Sequence, residues 1–241
     1  MTNGHEDPSV GRLQIGPPGE PTGPPLPPGT RPLGLGGRRD GLVVVPRSLD
    51  PQRPAPLVVV LHGAGGSGRQ MTSLLAHAAQ GHGAVLVAPD SRAATWDVIR
   101  GGYGPDVLFV GEAVAHVGRH LRIDPARMTV CGFSDGASYA VSLGIGNGDL
   151  FTAVMAYSPG FATPVVRHGT PRMFVSHGVR DDVLPVGRCS RRLVPRLRES
   201  GYDVTYVEFP DGHQVPEEIV DRSFAWLRGG DDGPGTRAPT G

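Results

Sequence analysis

Arg127–Gly144, RMTVCGFSDGASYAVSLG, is the stretch whose reading decides the fold. Met128–Cys131 is a short apolar run suited to a strand, and Gly132-Phe133-Ser134-Asp135-Gly136 follows it. Small and apolar residues then predict a helix starting near Asp135. A serine between two glycines at a strand-to-helix turn is the layout of a nucleophile elbow. Such a turn holds the serine at strained backbone angles, and the glycines let helix and neighbouring strands approach without a Cβ clash. The pattern alone is weak, because a chain with 37 Gly among 241 residues throws up about 0.3 such matches by chance. Its position carries the reading: it is the sole match, and it falls at a strand–helix junction. A Gly-rich turn with a capping serine is the plainer alternative.

A chain of 241 residues suits one large domain or two small ones. Lys+Arg 23 balance Asp+Glu 23, so no basic field is expected to hold nucleic acid. Every basic residue is Arg, which alongside abundant Gly, Pro and Ala reads as codon bias and gives Arg no functional weight. Two cysteines, Cys131 and Cys189, are too few for a disulfide framework or a thiolate zinc site. Reduced thiols in a cytoplasmic protein are expected. MTNGHEDPSVGRLQ lacks the basic and apolar regions of a secretory signal, and the longest apolar run, Leu57–Leu61, is too short to span a bilayer.

Residues 1–31 are polar and crowded with Pro and Gly, and are expected to be a disordered arm. From Pro32 the pattern changes. Leu33–Gly36 and Leu42–Pro46 predict an antiparallel hairpin, and Leu57–Leu61 a strand buried on both faces. That strand runs into His62-Gly63-Ala64-Gly65-Gly66-Ser67-Gly68, then a helix around Gln70–Gln80. Further strands are expected at Ala84–Pro89, Thr152–Tyr157, Arg172–Ser176 and Val204–Phe209. Helices are expected at Asp106–Leu121, Val186–Ser200 and Pro216–Leu227. Residues 32–228 thus read as one α/β domain with a mostly parallel sheet covered on both faces, and 229–241 as a flexible tail. Sites on such sheets lie at the carboxyl ends of strands.

A serine nucleophile needs a base, and the base needs an orienting group. Of nine His, His213 stands out, following the last strand in Phe209-Pro210-Asp211-Gly212-His213 at the sheet's carboxyl edge. His62 and His177 precede a Gly at strand ends, where imidazole commonly bonds loop backbone. For the acid, the strand Arg172–Ser176 leads into His177-Gly178-Val179-Arg180-Asp181-Asp182-Val183-Leu184-Pro185; Asp181 is preferred and Asp182 is its alternative. The order Ser134, Asp181, His213 is the one expected on an α/β-hydrolase sheet. Two N–H donors must meet the oxyanion: Asp135, after the nucleophile, and Ala64, in the loop after the early buried strand.

LHGAGG, GFSDG, HGVRDDVLP and DGH together resemble segments of α/β-hydrolase esterases. The resemblance points to the bacterial phospholipase/carboxylesterase group, with its feruloyl-esterase-like and polyester-depolymerase-like relatives, and covers roughly Val43–Leu227. It implies an α/β-hydrolase fold with little or no cap domain, and a serine hydrolase free of cofactor and metal. The implied substrate is a small-molecule ester or thioester of short to medium acyl chain, with no nucleic-acid or membrane partner, in a monomer or homodimer. In that family the acid sits at the Asp181 position of H-G-x-x-D-x-x-x-P. Asp135 departs from the Gln, Asn or Met common after the nucleophile; its carboxylate is expected to point outward and favour the helix N-terminus. Trp96, Tyr103, Phe133, Phe161 and Leu184 are candidates to line the pocket.

Gly63–Gly68 also matches G-x-G-x-x-G between a strand and a helix, with Asp90 ending the next strand, as a dinucleotide site would require. That reading leaves the downstream triad unexplained. A non-catalytic relative of the same fold is the third class.

Overall fold

The computed structural model describes residues 7–37 and 39–229. Eight strands form one sheet in the order β1-β2-β4-β3-β5-β6-β7-β8. β1 (Gly29–Pro32) and β2 (Gly41–Val45) run antiparallel to their neighbours at one edge. β3 (Ala55–Leu61), β4 (Val85–Pro89), β5 (Ile123–Phe133), β6 (Ala153–Tyr157), β7 (Arg172–Gly178) and β8 (Val204–Phe209) are mutually parallel. The helices are α1 (Gly68–Gly81), α2 (Pro105–His120), α3 (Asp135–Gly146), α4 (Ser190–Glu199) and α5 (Glu217–Leu227).

The two-residue period of β3 divides the core. Leu57, Val59 and Leu61 face the cluster that also takes side chains from α2, α3 and α4. Val58 and Val60 face the cluster built on α1 and α5. The sheet is therefore buried on both faces, which is why its central strands read as continuous apolar runs. This is the α/β-hydrolase architecture, and no additional helix or strand stands between β6 and β7 to form a cap.

Two expectations need correction. The hairpin forms, but its first strand is Gly29–Pro32 rather than Leu33–Gly36. Asp40 causes the shift: its carboxylate accepts the Gly34 and Leu35 N–H groups at 2.8 and 3.0 Å, folding that stretch into the turn. Residues 7–31 are not a disordered arm. Leu13 is buried, its N–H bonds Asn147 Oδ1 at 2.9 Å, and Asn147 Nδ2 donates back to Gly11 O at 2.9 Å. Arg12 pairs with Asp149, and the Thr22 and Gly23 N–H groups bond Arg119 O. A proline-rich segment lacking its own core is ordered by binding polar groups that α2 and α3 leave open at their C-terminal ends. Residues 1–6 of the expected arm and 230–241 of the expected tail lie outside the described residues.

Candidate active site

Ser134 is the N-cap of α3 and sits at φ 57°, ψ −120°, a conformation a non-glycine residue adopts only under constraint. Its own N–H is tied to Tyr157 O at 2.9 Å. The flanking glycines are demanded by contact. A Cβ on Gly132 would run into the Gly136 carbonyl, and one on Gly136 into the carbonyls of Leu61 and His62 at the end of β3. The elbow thus packs where β3, β5 and α3 converge.

At that point the structure brings together three side chains from separate elements. Ser134 Oγ lies 2.9 Å from His213 Nε2, and His213 Nδ1 lies 2.6 Å from Asp181 Oδ2. A carboxylate can only accept here, so Nδ1 carries the proton and Nε2 offers its lone pair to the hydroxyl. Asp181 Oδ1 accepts the Val183 and Leu184 N–H groups at 3.0 and 2.7 Å. Burial would raise the Asp181 pKa, but the hydrogen bonds from His213 and Leu184 outweigh it and hold the carboxyl below its usual range. Asp182, its alternative, is exposed.

His177 approaches Asp181 as a second imidazole. Its Nε2 donates to Leu184 O at 2.7 Å and lies 3.2 Å from Asp181 Oδ2, while Nδ1 pairs with the Ser190 hydroxyl at 2.7 Å. Burial pushes its pKa down, which keeps it neutral. The strand-end rule foresaw its bond to loop backbone, but not that it also buttresses the acid.

Gly63 lies directly against the nucleophile: an added Cβ would sit 3.3 Å from Ser134 Cβ. The N–H groups of Ala64, which follows Gly63, and of Asp135, which follows Ser134, have no acceptor among the described residues. Loop 63–66 is held from behind. His62 Nδ1 donates to Gly63 O at 2.7 Å and its Nε2 accepts the Ser91 N–H at 3.0 Å. Arg39 donates to Gly66 O at 3.0 Å and touches His62 Nε2. Burial, reinforced by the Arg39 charge, lowers the His62 pKa. Composition gives Arg39 no weight, since an all-Arg set of basic residues reads as codon bias, and its contact with a loop more than twenty residues away belongs to the tertiary structure. Asp90 accepts the Gly68 N–H at 2.6 Å, closing the loop on itself rather than standing free for a ribose.

Asp135 does not simply face solvent. Its Oδ2 accepts the Thr95 hydroxyl at 2.6 Å, which fastens α3 to the loop after β4. Among the pocket candidates, Phe133 packs its ring 4.7 Å from that of His213. Leu184 bonds Asp181 and contacts Gly160, and Phe161 is partly exposed nearby. Trp96 lies in the core and Tyr103, half-buried, packs against it. Trp96 is fully buried, donates to His62 O at 2.7 Å and stacks on Tyr139. Tyr103 also stacks on Tyr139 and donates to Thr163 O at 2.9 Å. Each is an amphipathic ring whose polar tip finds a backbone carbonyl, so both serve the core.

The fold and this constellation define the α/β-hydrolase class, and comparison with known proteins finds the chain similar to esterases of that class. The chain is 28% identical over 156 residues to feruloyl esterase C of Emericella nidulans, an alignment covering 61% of this chain but only 57% of that enzyme. The structure of esterase PE8 matches at 25% identity with a TM-score of 0.61, covering 78% of this chain and 97% of that one. An S-formylglutathione hydrolase of Staphylococcus aureus shares the fold at a TM-score of 0.65 and 11% identity, over 78% of this chain and 92% of that one. No protein-family model matches. Among the described residues, no helix is long and apolar enough to cross a membrane.

Proposed function

We propose that this chain is a serine carboxylic-ester hydrolase working through an acyl-enzyme. The observation that carries the reading is the relay from Asp181 through His213 to a strained, helix-capping Ser134, at 2.6 and 2.9 Å. In this mechanism His213 Nε2 takes the Ser134 proton as Oγ attacks the ester carbonyl. The oxyanion is received by the N–H groups of Ala64 and Asp135, reinforced by the positive end of α3. Collapse expels the alcohol, which takes the proton back from His213. A water then repeats the sequence to free the acid. Asp181 fixes the tautomer and stabilises the imidazolium without itself taking the proton.

The substrate class is a small-molecule ester of short to medium acyl chain, with thioesters as a further case. The absence of a cap between β6 and β7 supports an open site, and the likeness to a feruloyl esterase supports ester chemistry. A cytoplasmic setting belongs to the same proposal, supported by two buried, unpaired thiols.

Fluorophosphonate labelling, with a p-nitrophenyl ester chain-length series and a thioester beside it, tests this. The native chain should label and turn over. Ser134→Ala should lose the label and at least about 10⁴-fold in kcat while staying folded. A variant within about tenfold of the native rate would overturn the assignment.

A further inference from the structure

A groove of about 340 Å³ runs between the loop after β6 and α4, floored by apolar side chains and bordered by Arg167, Arg188, Arg192 and Arg196. All four arginines are exposed, no Asp or Glu lines the groove, and none of the four pairs with a carboxylate among the described residues. Other surface arginines do meet an acid: Arg12 with Asp149, Arg122 with Glu20, Arg127 with Asp124 and Arg191 with Glu208. Arg191 and Arg192 are neighbours in the chain, yet only the one turned away from the groove has an acid partner. In a chain of zero net charge, this leaves a local excess of positive charge along one cleft.

One lip of the groove adjoins the helix that carries the nucleophile. That lip is Gly160, whose N–H donates to Ser138 Oγ at 2.9 Å, and Ser138 lies one helical turn beyond Ser134 on α3. Gly160 also touches Leu184, which bonds the Asp181 carboxylate. Phe161 stands partly exposed on the same lip. Arg192 and Arg196 lie four residues apart on α4, about 6 Å along its axis, and Arg188 stands two residues before the helix.

Resting on the hydrolase reading, we propose that this groove selects anionic esters. One limb of the substrate leaves Ser134 past Phe161 and ends in a carboxylate, sulfate or phosphate held by Arg188, Arg192 and Arg196. Guanidinium forks suit each of these groups, and the apolar floor takes the intervening chain.

Two matched pairs of esters test this and separate the two limbs. The mono-p-nitrophenyl ester of suberic acid against p-nitrophenyl octanoate puts the charge on the acyl side. The butanoyl ester of 8-hydroxyoctanoate against octyl butanoate puts it on the alcohol side. In one pair the anionic member should be preferred in kcat/KM by about tenfold, through KM, and added salt should erase the preference. Arg192→Gln and Arg196→Gln should each lower the anionic-to-neutral ratio by up to about fivefold. Equal kcat/KM within both pairs, a preference indifferent to salt, or variants that lower both members equally would overturn the proposal. The salt dependence is read on the native chain and needs no variant. Failure to cleave any of the four esters would instead bring down the hydrolase reading and the groove with it.

Discussion

Adjacent aspartates give the sharpest contrast at the scale of single residues. Asp181 accepts hydrogen bonds from His213 and from the Val183 and Leu184 N–H groups, whereas Asp182 faces solvent. Asp181→Asn keeps the shape but presents an amide that can stabilise the wrong imidazole tautomer. Its kcat should fall by about 10⁴-fold, the scale known for the equivalent change in a serine protease. Asp182→Asn should stay within about threefold. Steady-state kinetics on one ester compares the two. The hydrogen bond between Thr95 and Asp135 shows why the residue after the nucleophile tolerates a carboxylate: its charge is engaged by a hydroxyl beside a helix N-terminus.

Elements here are joined by a few contacts that allow no slack. Gly136 meets the last carbonyls of β3, so Gly136→Ala must move backbone, not a flexible side chain. A loss of at least about 3 kcal/mol is expected, read as a lowered midpoint in denaturant. The N-terminal segment depends on Asn147, whose amide bonds Leu13 N, Gly11 O and Leu143 O. Asn147→Ala should lower Tm by about 4–8 °C, or about 2 kcal/mol, and expose residues 7–31 to proteolysis. Unchanged protease resistance would show that this segment is held elsewhere. Strand positions in the parallel part were legible because burial on both faces leaves apolar runs. The edge strand was not, since Asp40 decides the turn by bonds that no hydrophobic period records.

Across the molecule, the two strand-end histidines, with His82 and His116 shifted by burial in the same direction, shape the response to pH. His62 and His177 are buried and held below the ordinary imidazole pKa, so below about pH 6.5 the unfolded chain binds protons that the folded chain refuses. Stability should therefore be flat above about pH 7 and fall as pH drops through that window. Asp181, depressed in the fold, adds a second loss of the same sign below about pH 4. Thermal unfolding across pH checks this, and a His177→Gln variant should show a shallower first decline.

The sequence alone determined the elbow, the chain order Ser134–Asp181–His213 and the alternation of strands and helices. These are local patterns or orderings, and the carboxyl end of a parallel sheet is where such residues must emerge. What the tertiary structure decided depends on partners distant in the chain. It separated Asp181 from Asp182 by hydrogen bonds, set Trp96 in the core with Tyr103 packed against it, and bound residues 7–31 to helix ends. It also gathered Arg39 behind the oxyanion loop and four arginines around one groove. Local propensity carries no record of which distant carbonyl will meet an indole N–H, or which surface will lack an acid to pair an arginine.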